Sequence, residues 1–233
     1  GERTGTRAAM KAMILAAGRG ERMRPLTDAL PKPLLVVRGK PLIVHHLEGL
    51  VRAGVREVVI NLAWLGAKIR DALGEGERWG VRIVYSDEGE VACETGGGIF
   101  RALALLGDAP FLVVNGDVWT DFDFTRVGIE AGADAHLVLV PNPPQHAHGD
   151  FTLAGGCIGE DSSPGAVRYT YSGLGVYRPR FFAGCTPGRF PLLPLLQRAI
   201  AARRLTGQLY RGMWQDIGTP ERLAAINAAV PVK

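Results

Sequence analysis

The stretch Met13-Ile-Leu-Ala-Ala-Gly-Arg-Gly-Glu-Arg-Met-Arg-Pro25 decides the fold, because an apolar run passes directly into a loop with two glycines and three arginines. Residues 11–17 are typical of a buried strand, and the glycines that follow predict a tight turn. A glycine-rich turn after a strand commonly holds phosphate, since small residues let backbone N–H groups approach the ligand. The stretch therefore indicates an α/β fold with an anion site beside its first strand.

The rest of the chain continues this alternation of apolar runs and helical patterns. It predicts a single Rossmann-like α/β domain over 10–233, with a mixed, mainly parallel sheet flanked by helices. We expect residues 1–9 to be a disordered tail or a tag remnant. Strands are predicted at 11–17, 34–37, 57–62, 81–86, 109–117, 135–140, 168–177 and 208–218, and helices at 41–53, 65–73, 98–106, 192–203 and from Thr219.

Composition excludes several classes of protein. The 233 residues are 47% apolar with a net charge of +4, and the basic residues are scattered, which disfavours nucleic acid as a partner. No apolar run approaches the roughly 20 residues of a membrane span, and we expect neither a signal peptide before Met10 nor a membrane partner. The three cysteines lie far apart, which fits the reducing cytoplasm. We expect a cytoplasmic monomer or small homo-oligomer.

Three loops with chemically useful residues follow predicted strands. They are residues 18–25, 87–98 and 115–117. Ligands of parallel sheets bind beyond the carboxyl ends of the strands, so these loops are expected on the rim of one crevice.

Two common phosphate loops do not match the first of these segments. A dinucleotide fingerprint needs glycine where Met23 stands and an acid near Val37, which weakens an oxidoreductase reading. A Walker A loop fails because Gly39-Lys40 is followed by Pro41. What remains is G-x-G-x-R-x-x-P, followed by Lys32 between two prolines, whose glycines and cations suit a triphosphate.

Four motifs in order resemble the sugar-1-phosphate nucleotidyltransferases. The sequences are LAAGRGERMRPLT (15–27), PKPLL (31–35), VVNGD (113–117) and WQDIGT (214–219). The resemblance implies the nucleotide-diphospho-sugar transferase fold, with a nucleotide-binding half near 10–133 and a sugar-binding half near 134–233. It also implies an enzyme that transfers a nucleotidyl group to a sugar 1-phosphate and releases pyrophosphate.

This chemistry brings two anions together, so it calls for Mg²⁺, which takes one or two carboxylates together with phosphate oxygens and water. Asp117 and Asp216 suit that role if the fold brings them together. The sugar phosphate is already ionised at pH 7, so no general base is needed. Asp121 and Asp123 are expected to be caps rather than ligands, and His146 and His148 to be solvated loop residues.

Four further segments, at 60–66, 88–103, 113–124 and 148–151, resemble one branch of the family. That branch uses UTP and N-acetylmuramate α-1-phosphate in peptidoglycan recycling. A glucose, mannose or N-acetylglucosamine 1-phosphate remains an alternative substrate. So does a non-catalytic sugar-nucleotide sensor, although such a protein would be expected to lose one of the four residues Arg24, Lys32, Asp117 and Asp216.

The resemblance also implies a role for each matching position. The catalytic residues would be Arg24, Lys32 and Asp117, and the metal ligands Asp117 and Asp216. The sugar would contact Asn115 and Asp150. UTP would contact Ala16, Ala17, Gly18, Gly20, Glu21, Arg22, Lys32, Thr95 and, near the uracil, Gly89 with Glu88 as the alternative.

Overall fold

The structure, a computed structural model, describes residues 10–229. Within that part of the chain, no helix is long and apolar enough to cross a membrane. The strands are β1 Ala12–Leu15, β2 Val36–Val37, β3 Lys40–Pro41, β4 Glu57–Leu62, β5 Arg82–Asp87, β6 Phe111–Asn115, β7 Val118–Thr120, β8 Ala135–Val140, β9 Phe151–Ala154, β10 Cys157–Gly159, β11 Arg168–Tyr177, β12 Leu205–Leu209 and β13 Trp214–Asp216. The α-helices are α1 Leu42–Arg52, α2 Gly66–Leu73, α3 Glu94–Leu106, α4 Leu193–Ala201 and α5 Pro220–Ala228.

Nine strands form one mixed sheet in the order β5-β4-β1-β6-β11-β8-β12-β10-β9. Strands β5, β4, β1 and β6 are parallel to one another, whereas β11 runs antiparallel to both β6 and β8. The parallel arrangement returns between β8 and β12. The sheet is therefore mixed, as predicted, and its longest parallel run, β5-β4-β1-β6, comes from the first half of the chain.

Helices cover both faces of the sheet, and β1 shows why. Its side chains alternate, so Ala12 and Ile14 pack on the side of α1 and α2, while Met13 packs on the side of α3 and α4. All three side chains are fully buried. A strand buried on both faces reads as a continuous apolar run, which is what the sequence shows.

Three predicted elements differ in the structure, and one of them, the strand predicted at 208–218, is divided into β12 and β13 with residues 210–213 between them. Residues 34–37 were expected to form a strand, but Lys32–Leu34 is a 3₁₀ turn and only Val36–Val37 is extended. That short strand pairs with β3 outside the main sheet, because Pro31 and Pro33 precede the segment and Pro41 lies in the partner strand. The helix expected from residue 98 begins at Glu94 instead. Residues 188–191 of the same chain pack closely against the glycines in its first turn, where a side chain would not fit.

A separate two-stranded ribbon joins the middle of the chain, just after β6, to its C-terminal part. In this ribbon β7 pairs with β13, with Asp216 opposite Val118. The N–H of Ile217 donates to the Asp117 carbonyl at 2.7 Å. Helix α5 then begins at Thr219, whose side chain accepts the N–H of Arg222. The ribbon thus places the WQDIGT segment beside VVNGD.

Candidate active site

A cavity of about 430 Å³ opens at the carboxyl ends of β1, β5 and β6. Its walls come from the three loops that the sequence placed on one rim. Ten of the expected site residues line it: Ala16, Ala17, Gly18, Gly20, Glu21, Arg22, Lys32, Thr95, Asn115 and Asp117. Four lie outside the lining: Arg24, Gly89, Asp150 and Asp216.

The loop after β1 turns sharply at Gly20, whose φ of +69° lies in the left-handed region. A Cβ atom at this position would also lie 3.0 Å from the methyl carbon of Thr27. Thr27 closes the turn by donating its hydroxyl to the Gly20 carbonyl at 2.7 Å. Both the backbone conformation and the lack of space therefore favour glycine at residue 20.

Gly116 brings the ends of β1 and β6 into close contact. Its N–H donates to the Leu15 carbonyl at 2.9 Å. A Cβ atom at residue 116 would lie only 2.3 Å from that same oxygen. The absence of a side chain thus sets how closely Asn115 and Asp117 approach the loop that follows β1.

A buried polar pair lies under this loop, and only one of its members, Glu88, was expected at the site, as the alternative to Gly89. Asn61 accepts the N–H of Ala16 at 2.7 Å and donates to Glu88 at 2.9 Å. The other oxygen of Glu88 accepts the N–H of Cys93 at 2.9 Å. Both side chains line the cavity, so Glu88 rather than Gly89 reaches it. The sequence does mark this pair, because each residue is a polar position near the end of an apolar run, Asn61 within 57–62 and Glu88 after 81–86.

Of the three cations expected at the site, two line the cavity and Arg24 does not. Lys32 is only 11% exposed, and its Nζ lies 3.4 Å from the Oδ2 atom of Asp117. Arg22 lines the cavity, and its guanidinium is engaged by no ion pair within residues 10–229. Arg24 instead pairs with Asp28 at 2.7 Å on the exposed surface. Lys32 and Arg22 are therefore the cations poised for an anion.

Asp216 is the last residue of β13, and Asp117 immediately precedes the neighbouring strand β7, so the ribbon brings the two residues near each other. Asp216 pairs with Arg222 at 2.7 Å. Across the described residues, no group of three or more His, Cys, Asp or Glu side chains is arranged to hold a metal. Two carboxylates are nevertheless enough for Mg²⁺, because phosphate oxygens and water complete its octahedron. The donor set therefore fits Mg²⁺ with a triphosphate.

The glycines of ETGGG form a packing surface at the start of α3. A Cβ atom at Gly97 would lie 2.2 Å from the carbonyl oxygen of Gly188, and one at Gly98 would lie 2.8 Å from Glu88. The N–H of Gly97 donates to Phe190 at 3.0 Å. Glycine weakens a helix, so its presence here is explained by these close approaches.

Asp150 lies on the side of the sheet formed by the second half of the chain. One carboxylate oxygen accepts the N–H of Tyr171 at 2.8 Å, and the other lies 2.8 Å from Nε2 of His146. His146 is thus held in a loop contact rather than fully solvated. Nearby, Gly173 has a φ of +84°, and a Cβ atom there would lie 2.6 Å from Asn115. Asn115 therefore packs tightly against β11.

Of the two acidic residues in WTDFDF, Asp123 caps a 3₁₀ turn as expected, whereas Asp121 bonds a distant segment of the chain. Asp123 accepts the N–H of Thr125 at 2.9 Å. Asp121 accepts the N–H of Met213 at 2.9 Å and also bonds the Tyr210 hydroxyl. Burial, together with the Asp121 carboxylate, raises the pKa of Tyr210. Neither carboxylate lines the cavity.

His46 of α1 is a fully buried histidine beneath the ribbon. Its side chain is 2% exposed, and its Nε2 has no hydrogen-bond partner among the described residues. Burial lowers the pKa of His46 to about 4, with a smaller opposing contribution from the Val118 carbonyl. The imidazole is therefore neutral at pH 7.

Residues 11–155 match the model of a protein family described as nucleotidyl transferase. This chain belongs to that family. Over 225 residues this nucleotidyl transferase is 52% identical to the N-acetylmuramate alpha-1-phosphate uridylyltransferase of Neisseria meningitidis serogroup B, and the match covers 94% of this chain and 97% of that protein. It is 38% identical over 230 residues to the protein of the same name from Caulobacter vibrioides, covering 93% and 95%. The family resemblance is confirmed.

Solved structures share the fold of this nucleotidyl transferase at low sequence identity. A Bacillus anthracis protein crystallised with a sucrose superposes with a TM-score of 0.81 at 23% identity, covering 94% of both chains. HddC from Yersinia pseudotuberculosis, complexed with GMP-PN, superposes with a TM-score of 0.74 at 18% identity, covering 93% of this chain and 97% of that one. The predicted α/β fold is confirmed.

Proposed function

We propose that this nucleotidyl transferase transfers UMP from UTP to N-acetylmuramate α-1-phosphate, giving UDP-N-acetylmuramate and pyrophosphate. The observation that carries the choice of substrates is the 52% identity, over nearly the full length of both chains, to the Neisseria protein of that name. The cavity geometry supports a transfer between phosphates. A role in peptidoglycan recycling and a cytoplasmic location follow from these substrates.

The triphosphate is held by the loop after β1. Gly18 and Gly20 let backbone N–H groups come close to phosphate oxygens, and Arg22 and Lys32 supply positive charge from the cavity wall. Lys32 stabilises the negative charge that develops as pyrophosphate leaves, because its nearly buried side chain keeps the ammonium group at the cavity wall. Arg24 takes part in catalysis only after it leaves Asp28.

Asp117 and Asp216 would hold Mg²⁺, each providing hard carboxylate oxygens. The bound ion supplies charge neutralisation between the two phosphate groups that must meet. Lys32 and Arg222 balance the two carboxylates in the protein alone. The carboxylates therefore remain oriented and partly buried.

The sugar phosphate acts as its own nucleophile, since it is ionised at pH 7. The protein's task is therefore to align the two substrates, which lowers the entropic part of the barrier. Asn115 and Asp150 position the sugar, and Thr95 and Glu88 lie toward the nucleotide. In this arrangement residues 10–133 bind the nucleotide, and the half from residue 134 binds the sugar.

Pyrophosphate release in the presence of Mg²⁺ tests the proposal. UTP is supplied with N-acetylmuramate, N-acetylglucosamine, glucose or mannose 1-phosphate in parallel reactions. Rapid release with the muramate and slow release with the others is expected. Preference for another sugar would replace the substrate but keep the chemistry. Absence of release with every sugar and with each of the four nucleoside triphosphates would identify a sensor instead. Asp117→Asn serves as the inactive control.

A further inference from the structure

Both carboxylate oxygens of Asp216 are already occupied by protein donors. Arg222 lies 2.7 Å from Oδ1, and the side-chain amide of Gln145 donates to Oδ2 at 2.6 Å. Asp117 differs, because its one described side-chain partner is Lys32, at the longer distance of 3.4 Å. A metal at this site therefore meets one carboxylate that is held loosely and one that is held from both sides.

The two donors on Asp216 are not equally free to move. The guanidinium of Arg222 packs directly over Gly218, where a Cβ atom would overlap it, and its Nε atom is buried. Gln145 is exposed to solvent and reaches Asp216 from a short turn. Oδ2 is consequently the oxygen that is more accessible to a cation. A cation that binds it must displace the hydrogen bond from Gln145 or bind beside it.

The same short turn carries a second carboxylate contact. Gln145 and His146 are consecutive residues of the 3₁₀ turn Pro144–His146, and His146 lies 2.8 Å from Asp150. The turn is also held from below by Asn142, whose amide donates to the Ala147 carbonyl at 3.1 Å. One turn thus connects the carboxylate assigned to the metal with the carboxylate assigned to the sugar.

We propose that Gln145 is a positioning residue that sets the metal affinity of the site by holding Oδ2 of Asp216. This inference rests on the proposed function. A hydrogen bond from a neutral amide to a charged carboxylate lowers the energy of the metal-free state, so it competes with metal binding. His146 acts through Gln145, because its contact with Asp150 fixes the turn. A sugar hydroxyl that takes the place of His146 at Asp150 releases this constraint.

Mn²⁺ binding to the full-length chain, followed by electron paramagnetic resonance without nucleotide, tests the inference. Gln145→Ala is expected to lower the Kd for Mn²⁺ about three- to tenfold, the effect of losing one hydrogen bond to a charged group at an exposed position. His146→Ala is expected to lower it by a smaller factor, and the double variant should match Gln145→Ala alone. Gln197→Ala is the matched control, since Gln197 makes the same kind of bond to Glu160 at 3.1 Å, from an exposed position on α4.

An unchanged or weaker Mn²⁺ affinity in Gln145→Ala would overturn the inference, as would additive effects in the double variant. Asp117→Asn separates this outcome from failure of the proposed function. If Asp117→Asn binds Mn²⁺ as tightly as the wild type, the metal assignment itself is wrong. If Asp117→Asn loses Mn²⁺ while Gln145→Ala binds normally, only the role of Gln145 is lost. Thermal unfolding of Gln145→Ala at the wild-type temperature excludes a purely structural effect.

Discussion

Replacing Gly116 by alanine should separate a steric effect on catalysis from an effect on folding. Residue 116 has no positive φ, so alanine is acceptable to the backbone itself. The obstacle is space, because the new Cβ atom would lie 2.3 Å from the Leu15 carbonyl oxygen. Since this oxygen belongs to the central strand, it cannot rotate away as the end of a side chain could.

The structure gives the size of the displacement. Contacts of a Cβ atom below 3.0 Å are essentially never found, so the ends of β1 and β6 must separate by at least the missing 0.7 Å. Overpacking of this kind costs about 1–3 kcal/mol of unfolding free energy, which leaves a typical domain folded. A misplacement of about 1 Å at a reacting centre lowers the rate by about 100-fold.

The expected result is a kcat about 100-fold lower with a modest loss of stability. Pyrophosphate release at saturating UTP and sugar phosphate gives kcat, and urea unfolding gives the free energy. Gly128→Ala is the matched control, since a Cβ atom at Gly128 meets nothing within 4 Å and its φ is not positive. A Gly116→Ala enzyme with kcat within twofold of the wild type would refute the reasoning.

Three further substitutions test other parts of the site. Lys32→Ala is expected to lower kcat/KM for UTP by at least about 100-fold while changing the unfolding free energy by less than about 1 kcal/mol; steady-state kinetics and urea unfolding check both. Arg22→Ala is expected to raise the KM for UTP about tenfold because Arg22 lines the cavity. Arg24→Ala should act on kcat instead, since Arg24 rests on Asp28 before it can reach the transferred phosphate; equal effects of both variants on KM would contradict this. Burial holds the pKa of His46 at about 4, below its unfolded value, so its contribution to stability is complete above pH 6.5 and is lost as the pH falls toward 4. Between pH 6.5 and 4, the free energy of unfolding of the wild type should fall by about 3 kcal/mol more than that of His46→Gln. Urea unfolding at several pH values measures both.

Much of the parallel sheet could be predicted from the sequence because each strand there is a separate apolar run. The strand at 57–62 was predicted at its observed boundaries, and the helix predicted at 65–73 ends at Leu73 as expected and begins one residue later, at Gly66. The positions of the cavity-lining residues near Gly18 and Asp117 could be predicted from the same local patterns, since loops that follow parallel strands lie at the carboxyl end of the sheet.

Contacts between distant segments could not be read in the same way. Arg222 and Gln145 meet Asp216 only because the β7–β13 ribbon forms, and neither position carries a local pattern. Glu88 was weighed as an alternative to Gly89, but its burial depends on Asn61, which lies 27 residues earlier. The strand predicted at 34–37 was too long, because a run of four apolar residues predicts a strand whatever its flanking residues are.

The β7–β13 ribbon also bears on how the enzyme is made. Ribosomes synthesise chains from the amino terminus, so the residues proposed to hold the nucleotide emerge first. Asp216 follows Asp117 by 99 residues, the difference of their two numbers. At a translation rate of about 5–20 residues per second, Asp216 is synthesised about 5–20 seconds after Asp117. A nascent chain that stops before Trp214 lacks the second acid and also Ile217 and Ile226, which share a buried cluster with Met23 of the phosphate loop. An interrupted product is therefore expected to lack both the acid pair and the packing that supports the loop.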